Sequence, residues 1–176
     1  MLFRSLRLQG YTPSGEGIAL DPILWMSFNQ KIDPAALLPL LQARGGGKLF
    51  PLRLAEPGEL EPLKGYVDSA IPGTWMALRF TESLPKDTYF SIILPEGAPS
   101  AEGPRKTTEA LSFSFKTYGP LRVTDAQCGW GSCYSGPYTN FGFQFSNPLD
   151  ESLFKPEWFK VEPALANQYV EMSWGY

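Results

Sequence analysis

Apolar and polar residues alternate along this chain in short runs. Leu24, Met26 and Phe28 form one such set, followed by Phe50, Leu52 and Leu54, then Met76, Leu78 and Phe80. Phe90, Ile92 and Leu94 follow, and after them Leu111, Phe113 and Phe115. A two-residue period places successive side chains on opposite faces, so each set predicts a strand with one face toward a core. Met1 to Leu8 alternates in the same way and predicts an opening strand. Strands joined by loops, without regular helical crossovers, argue for an antiparallel sandwich. A further alternating set, Phe141, Phe143 and Phe145, lies beyond these, preceded by a strand start at Leu121-Arg122-Val123.

The strand ending at Phe28 and the strand ending at Phe145 are followed by the same grammar. Phe28-Asn29-Gln30-Lys31-Ile32-Asp33 and Phe145-Ser146-Asn147-Pro148-Leu149-Asp150 each run from an aromatic residue through two small polar positions to an aliphatic residue and an Asp, at a constant offset of 117 residues. After each Asp a short helix is predicted. An Asp at the N-cap accepts a hydrogen bond from a first-turn N–H, and Pro34 suits the first helical position, where a missing N–H costs nothing. The first helix is expected over roughly 34–42. A repeat of this size predicts tandem domains, placed at 1–118 and 119–176 with the boundary at Tyr118–Pro120. Only 26 residues follow Asp150, against about 85 between Asp33 and Thr117. The second domain is therefore expected to be cut short, and the chain to be part of a longer protein.

Composition narrows the function. A net charge of −3 argues against a nucleic-acid or anionic-membrane footprint, and no apolar run approaches the roughly 20 residues of a membrane span. Arginines interrupt the N-terminal apolar residues, so these do not form a signal peptide. The absence of histidine removes Ser-His-Asp and Cys-His catalysis, histidine metal ligands and imidazole pH switching. Gly45-Gly46-Gly47 invites comparison with a phosphate loop, but Lys48 leads into Leu49-Phe50-Pro51, a strand rather than a helix start, so a turn is expected. Pro95 to Arg105 reads as a long solvated loop. Trp158–Pro163 and Tyr169–Trp174 read as strands.

Cys128-Gly129-Trp130-Gly131-Ser132-Cys133 holds both cysteines of the chain. Three readings stay open: a disulfide, two free thiols, or a metal site. A tetrahedral zinc site needs more ligands than two cysteines supply, and the spacing is too long for Cys-x-x-Cys redox chemistry. A disulfide between Cys128 and Cys133 would close a small loop, contribute roughly 2 kcal/mol by loop entropy, and fit an exported protein.

Phe28-Asn29-Gln30-Lys31-Ile32-Asp33-Pro34 resembles the F-N-x-P-I-D-P signature of bacterial Ig-like domains of the S-layer type. Leu84-Pro85-Lys86-Asp87-Thr88-Tyr89-Phe90-Ser91-Ile92 resembles their L-x-x-x-T-Y-x-V-x-I strand, and Phe113-Ser114-Phe115-Lys116-Thr117 resembles the closing F-x-F-x-T. Lys31 stands where Pro is usual, and Pro148 restores the pattern in the second copy. The tandem arrangement, with a cysteine-bearing second copy, most resembles the N-terminal region of large bacterial alpha-2-macroglobulin-like proteins. The resemblance implies an antiparallel Ig-like β-sandwich with one short helix, followed by an incomplete second sandwich. It also implies a periplasmic or cell-surface location and a non-catalytic part in protection against proteases. Neither cysteine lies in a Cys-x-x-Gln thioester motif, so no capture residue carries over.

The reading from sequence is thus a structural module pair without cofactor or metal. Its partners would be other domains of the same polypeptide and, through the parent protein, proteases. Phe28, Asp33, Phe145 and Asp150 are the motif residues. The alternative is an adhesion or carbohydrate-binding module, with Trp130 as the surface contact. An enzyme built on paired carboxylates is a third reading, weakened because Asp33 and Asp150 fall in different domains and each has a capping role. The very short linker at Tyr118–Pro120 predicts a restricted interdomain angle. Small-angle scattering is expected to fit a narrow distribution of interdomain distances, and a broad one would refute this.

Overall fold

A computed structural model describes residues 5–128, 140–162 and 169–172. The chain divides into two compact units, Met1–Pro120 and Leu121–Tyr176. Unit 1 is built from β1 (Leu8–Thr12), β2 (Gly15–Ile18), β3 (Ile23–Phe28), α1 (Pro34–Leu37), β4 (Gln42–Gly45), β5 (Lys48–Phe50), β6 (Leu52–Leu54), α2 (Lys64–Ser69), β7 (Trp75–Phe80), β8 (Tyr89–Leu94) and β9 (Leu111–Thr117). Unit 2 contains β10 (Val123–Cys128) and β11 (Phe141–Phe145), then 3-10 turns at Glu151–Leu153 and Pro156–Trp158.

Unit 1 is an all-β sandwich. One sheet has the order β1-β3-β7-β6 and the other β2-β9-β8-β4-β5. Every neighbouring pair is antiparallel except β2 and β9, which run parallel. Leu24, Met26 and Phe28 from one sheet share a single buried cluster with Phe90, Ile92, Leu94, Phe113 and Phe115 from the other. Phe50, Phe80, Phe90 and Phe115 meet edge-on or stacked, with centroids 5.0–6.4 Å apart. These are the spacings aromatic quadrupoles favour.

Several elements differ from the sequence expectation. Of the opening strand expected over 1–8, residues 1–4 lie outside the described residues and 5–7 are not in a strand; the first described strand is Leu8–Thr12, although Leu6 is still buried. The first helix is one turn, continued by a 3-10 turn at Leu38–Leu40; Leu41 is already extended, and Gln42 starts β4. Phe50, Leu52 and Leu54 do not share a strand: β5 and β6 flank Pro51 and belong to different sheets. Proline cannot donate to a ladder, so it falls where the chain leaves one sheet for the other. The expected long solvated loop has a buried anchor. Ala98 and Thr107 are enclosed, the Ala98 N–H donates to Thr107 Oγ1 (2.9 Å), and that hydroxyl donates to Pro95 O (3.2 Å).

The segment between β6 and β7 departs furthest from the sequence expectation. Two 3-10 turns, Pro57–Glu59 and Glu61–Leu63, lead into α2, so unit 1 has two short α-helices rather than one. Leu60, Leu63, Val67 and Ala70 pack on Trp25, Ala77, Ile23 and Trp75, on the outer face of the first sheet. That cover explains why β3 and β7 are buried on both faces over their middle residues. The continuous apolar stretches Ile23–Met26 and Trp75–Leu78 carry this signal, because strict alternation belongs to strands with one wet face.

Gly45-Gly46-Gly47 forms the β4–β5 hairpin. Gly45 pairs with Lys48, and Gly46 and Gly47 have φ of 55° and 79°, as a two-residue primed turn requires. Gly45 has a second constraint, since a Cβ there would overlap the Phe90 ring. Gly45→Ala is expected to cost about 1–3 kcal/mol through overpacking. Phe90→Ala should cost about 3–5 kcal/mol through cavity formation. Urea denaturation of the two variants checks both values.

Candidate functional site

The repeated motif is the candidate site, and its geometry starts at the strand exits. In unit 1 the Asn29 N–H donates to Arg7 O (3.1 Å), and the Arg7 N–H donates back to Asn29 Oδ1 (2.7 Å). Asn29 Nδ2 and Gln30 Nε2 both donate to Ser5 O, at 3.1 and 3.2 Å. Gln30 is buried. The Phe28 and Ile32 amides donate to Thr74 O (2.7 Å) and Gly73 O (2.9 Å), which fastens the exit to the approach of β7. Asp33 then caps α1, its Oδ1 accepting from the Ala35 N–H at 3.0 Å.

Unit 2 repeats this wiring. Ser146 N–H donates to Arg122 O (2.9 Å), and Arg122 N–H donates to Ser146 Oγ (3.0 Å). Asp150 Oδ1 accepts from the Ser152 N–H (2.9 Å) and hydroxyl (2.6 Å) at the start of its 3-10 turn. The likeness extends to an irregularity. β1 pairs with β3 through Leu8↔Phe28 and Gly10↔Ser27, leaving Gln9 as an extra residue. β10 pairs with β11 through Val123↔Phe145 and Asp125↔Gln144, leaving Thr124 in the same place. Bulges are specific features of a strand pair. Phe28 and Phe145 therefore hold equivalent backbone positions, as do Asp33 and Asp150.

Their packing differs. Leu24, Met26 and Phe28 are 0, 0 and 1% exposed, whereas Phe141 and Phe143 are 55 and 48% exposed and Phe145 is half-buried. Among the described residues β11 has β10 as its only strand neighbour, so the expected half-buried face of the second strand set lies largely open. Phe143 and Phe154 each approach Phe159, at 6.1 and 5.9 Å. Among the described residues of the two strands expected after Asp150 no strand is formed, and Pro163, Ser173 and Trp174 lie outside the described residues. Trp158 closes a 3-10 turn, and neither 159–162 nor 169–172 is extended into a sheet.

Cys128 ends β10 and is disulfide-bonded, and no cysteine among the described residues is free. Cys133 and Trp130 lie outside the described residues.

Two polar constellations in unit 1 escaped the sequence reading. The buried Thr117 hydroxyl donates to Pro85 O (2.7 Å) and accepts from the Thr88 N–H (3.0 Å), so the final residue of β9 fastens the turn that starts β8. The Arg53 guanidinium grips the Glu59 carboxylate through two bonds of 2.7 Å, with Arg79 Nε at 3.3 Å. This grip and the Glu56 N–H lower the Glu59 carboxyl to about 2. Hydrogen bonds from the Ser152 hydroxyl and N–H likewise hold Asp150 below the ordinary aspartate value. A Thr at a strand end and an Arg six residues before a Glu are too common in sequence to announce either arrangement.

No protein-family model matches the chain. Over 103 residues it is 35% identical to circularly permutated Ras protein 2 of Dictyostelium discoideum, covering 54% of this chain and 2% of that protein. The N-terminal part of the bacterial S-layer protein SbsC is a structural neighbour at 11% identity, with a TM-score of 0.42 over 72% of this chain and 26% of that one. Both likenesses span a small part of the other protein, and neither carries a functional argument.

Asn29→Ala removes the acceptor of the Arg7 amide and a donor to Ser5, and should cost about 1–3 kcal/mol in thermal or urea unfolding of unit 1. The Glu59 carboxyl is lower when folded than when unfolded, so its stabilisation is full above the ordinary glutamate range and lost as pH falls toward 2. Glu59→Gln should therefore be less stable than the parent chain at pH 7 and converge with it in strong acid. A gap that does not shrink as pH falls from 6 toward 2 would contradict this.

Proposed function

We propose that this chain is a pair of non-catalytic structural modules from an exported alpha-2-macroglobulin-like protein, where it holds the reactive parts of a larger molecule in position. One observation carries the reading. The same strand exit, with reciprocal amide bonds at Arg7–Asn29 and Arg122–Ser146, a bulge two residues further along and an Asp cap, is built twice. Those side-chain oxygens and carboxylates are occupied in fixing backbone, which is the work of a connector. The disulfide-bonded Cys128 fits an oxidising compartment, as an exported protein requires.

The chain is expected not to inhibit endoproteases of any class when mixed with them in excess. In a longer protein of this kind a thioester-bearing segment would do that. Stoichiometric inhibition by the 176-residue chain alone would overturn the proposal.

A further inference from the structure

A groove of about 550 Å³ runs between β1 of one sheet and the start of β9 in the other, lined by Arg7, Gln9, Tyr11, Glu109 and Ser112 among others. The volume falls within the range of small-ligand sites, roughly 300–1,000 Å³. Tyr11 is one of its lining residues. One face of the ring stacks on Phe113, with centroids 4.8 Å apart and planes 20° apart. The residue is nevertheless 44% exposed, so part of its side chain is open to solvent beside the groove. Phe113 is buried, so the stacked side of the Tyr11 ring rests on the core.

The rim chemistry is mixed. A guanidinium, an amide, a carboxylate and a hydroxyl border the groove, and among the described residues none of these four side chains makes a hydrogen bond or ion pair. Together they offer both donors and acceptors. Arg7 and Glu109 cancel in charge, so the groove favours neither anions nor cations. A solvent-exposed aromatic residue beside uncharged-on-balance hydrogen-bonding groups suits a polyhydroxylated, neutral ring. We infer that this groove is a binding site for a neutral saccharide, with Tyr11 as stacking platform and Glu109, Gln9 and Ser112 as hydroxyl partners.

An extended peptide is the competing occupant, since β1 is a sheet edge. The edge is poorly suited to strand addition. Gln9 bulges out of the ladder, and Pro13, directly after Thr12, has no N–H to give. The bulge also sits among the groove residues, where such irregularities re-aim side chains. This site is separate from the structural role proposed above and does not depend on it.

The test is an NMR titration of the whole chain with a panel of neutral oligosaccharides, namely β-1,4-linked oligomers of glucose, xylose and N-acetylglucosamine and α-linked mannose. Sialylated glycans and a strand-forming peptide serve as comparisons. At least one neutral sugar should bind, with amide shifts centred on Tyr11 and Ser112 and an affinity insensitive to salt. Tyr11→Ala should weaken binding about tenfold or more, given the combined loss of platform and contact area. Glu109→Gln, at an exposed position, should leave the melting temperature unchanged and also weaken binding. The inference is overturned if no neutral sugar binds, if only sialylated glycans or the peptide bind, or if affinity survives the Glu109 substitution.

Discussion

Unit 1 depends on keeping one apolar strip dry. Leu24, Met26 and Phe28 point from the first sheet into the cluster that Phe90, Phe113 and Phe115 fill from the second. Hydrophobic burial is non-directional, so the strip alone would not fix how the sheets meet. Directionality comes from shape: Gly45 has no side chain because the Phe90 ring occupies that space, and the Phe50, Phe80 and Phe115 rings close around it. The polar exits at Asn29 and Thr117 then settle where the strands may end, since each satisfies backbone groups that the core would otherwise leave unpaired.

Comparing the two copies separates local from tertiary causes. Ser146 and Asp150 reproduce the bonds of Asn29 and Asp33 although Phe141 and Phe143 remain half exposed. The exit wiring therefore does not need a sealed core. Its partners are an adjacent strand, reached through two amides, and a residue two positions along the chain. Ser146 performs with a hydroxyl what Asn29 performs with a carboxamide oxygen, because the position asks only for a short acceptor.

Much of this was legible in the residues. Alternation located β3, β7, β8, β9 and β11 closely, and in β8 and β9 the period-two imprint reflects one buried face and one wetter face. The constant offset between Phe28 and Phe145 foretold equivalent backbone settings. What escaped notice followed rules with no local imprint. Pro51 divides two strands between sheets, yet its neighbours Phe50 and Leu52 keep the alternation of one strand. The cover from Pro57 to Ser69 is recognisable only through the face it buries, by way of Trp25 and Ala77. Gln9 and Thr124 became recognisable as bulges only when their partner strands were known. Of the candidate site, the caps could be read from an Asp before a helix start, whereas the reciprocal amide bonds could not, because Arg7 and Asn29 are 22 positions apart.

The parallel pairing of β2 with β9 has a mechanical corollary. Gly15 lies opposite Phe115 and Ile18 opposite Thr117, and the Tyr118 N–H continues the contact to Ile18 O at 2.9 Å. Once β1 is drawn off, tension between the start of β2 and the end of β9 acts along both strands in opposite senses. Bonds across such a seam are sheared together and yield as a group, where an antiparallel pair pulled from its open end would unzip one rung at a time. The β2–β9 seam is thus in shear geometry whenever tension runs between those two strand ends.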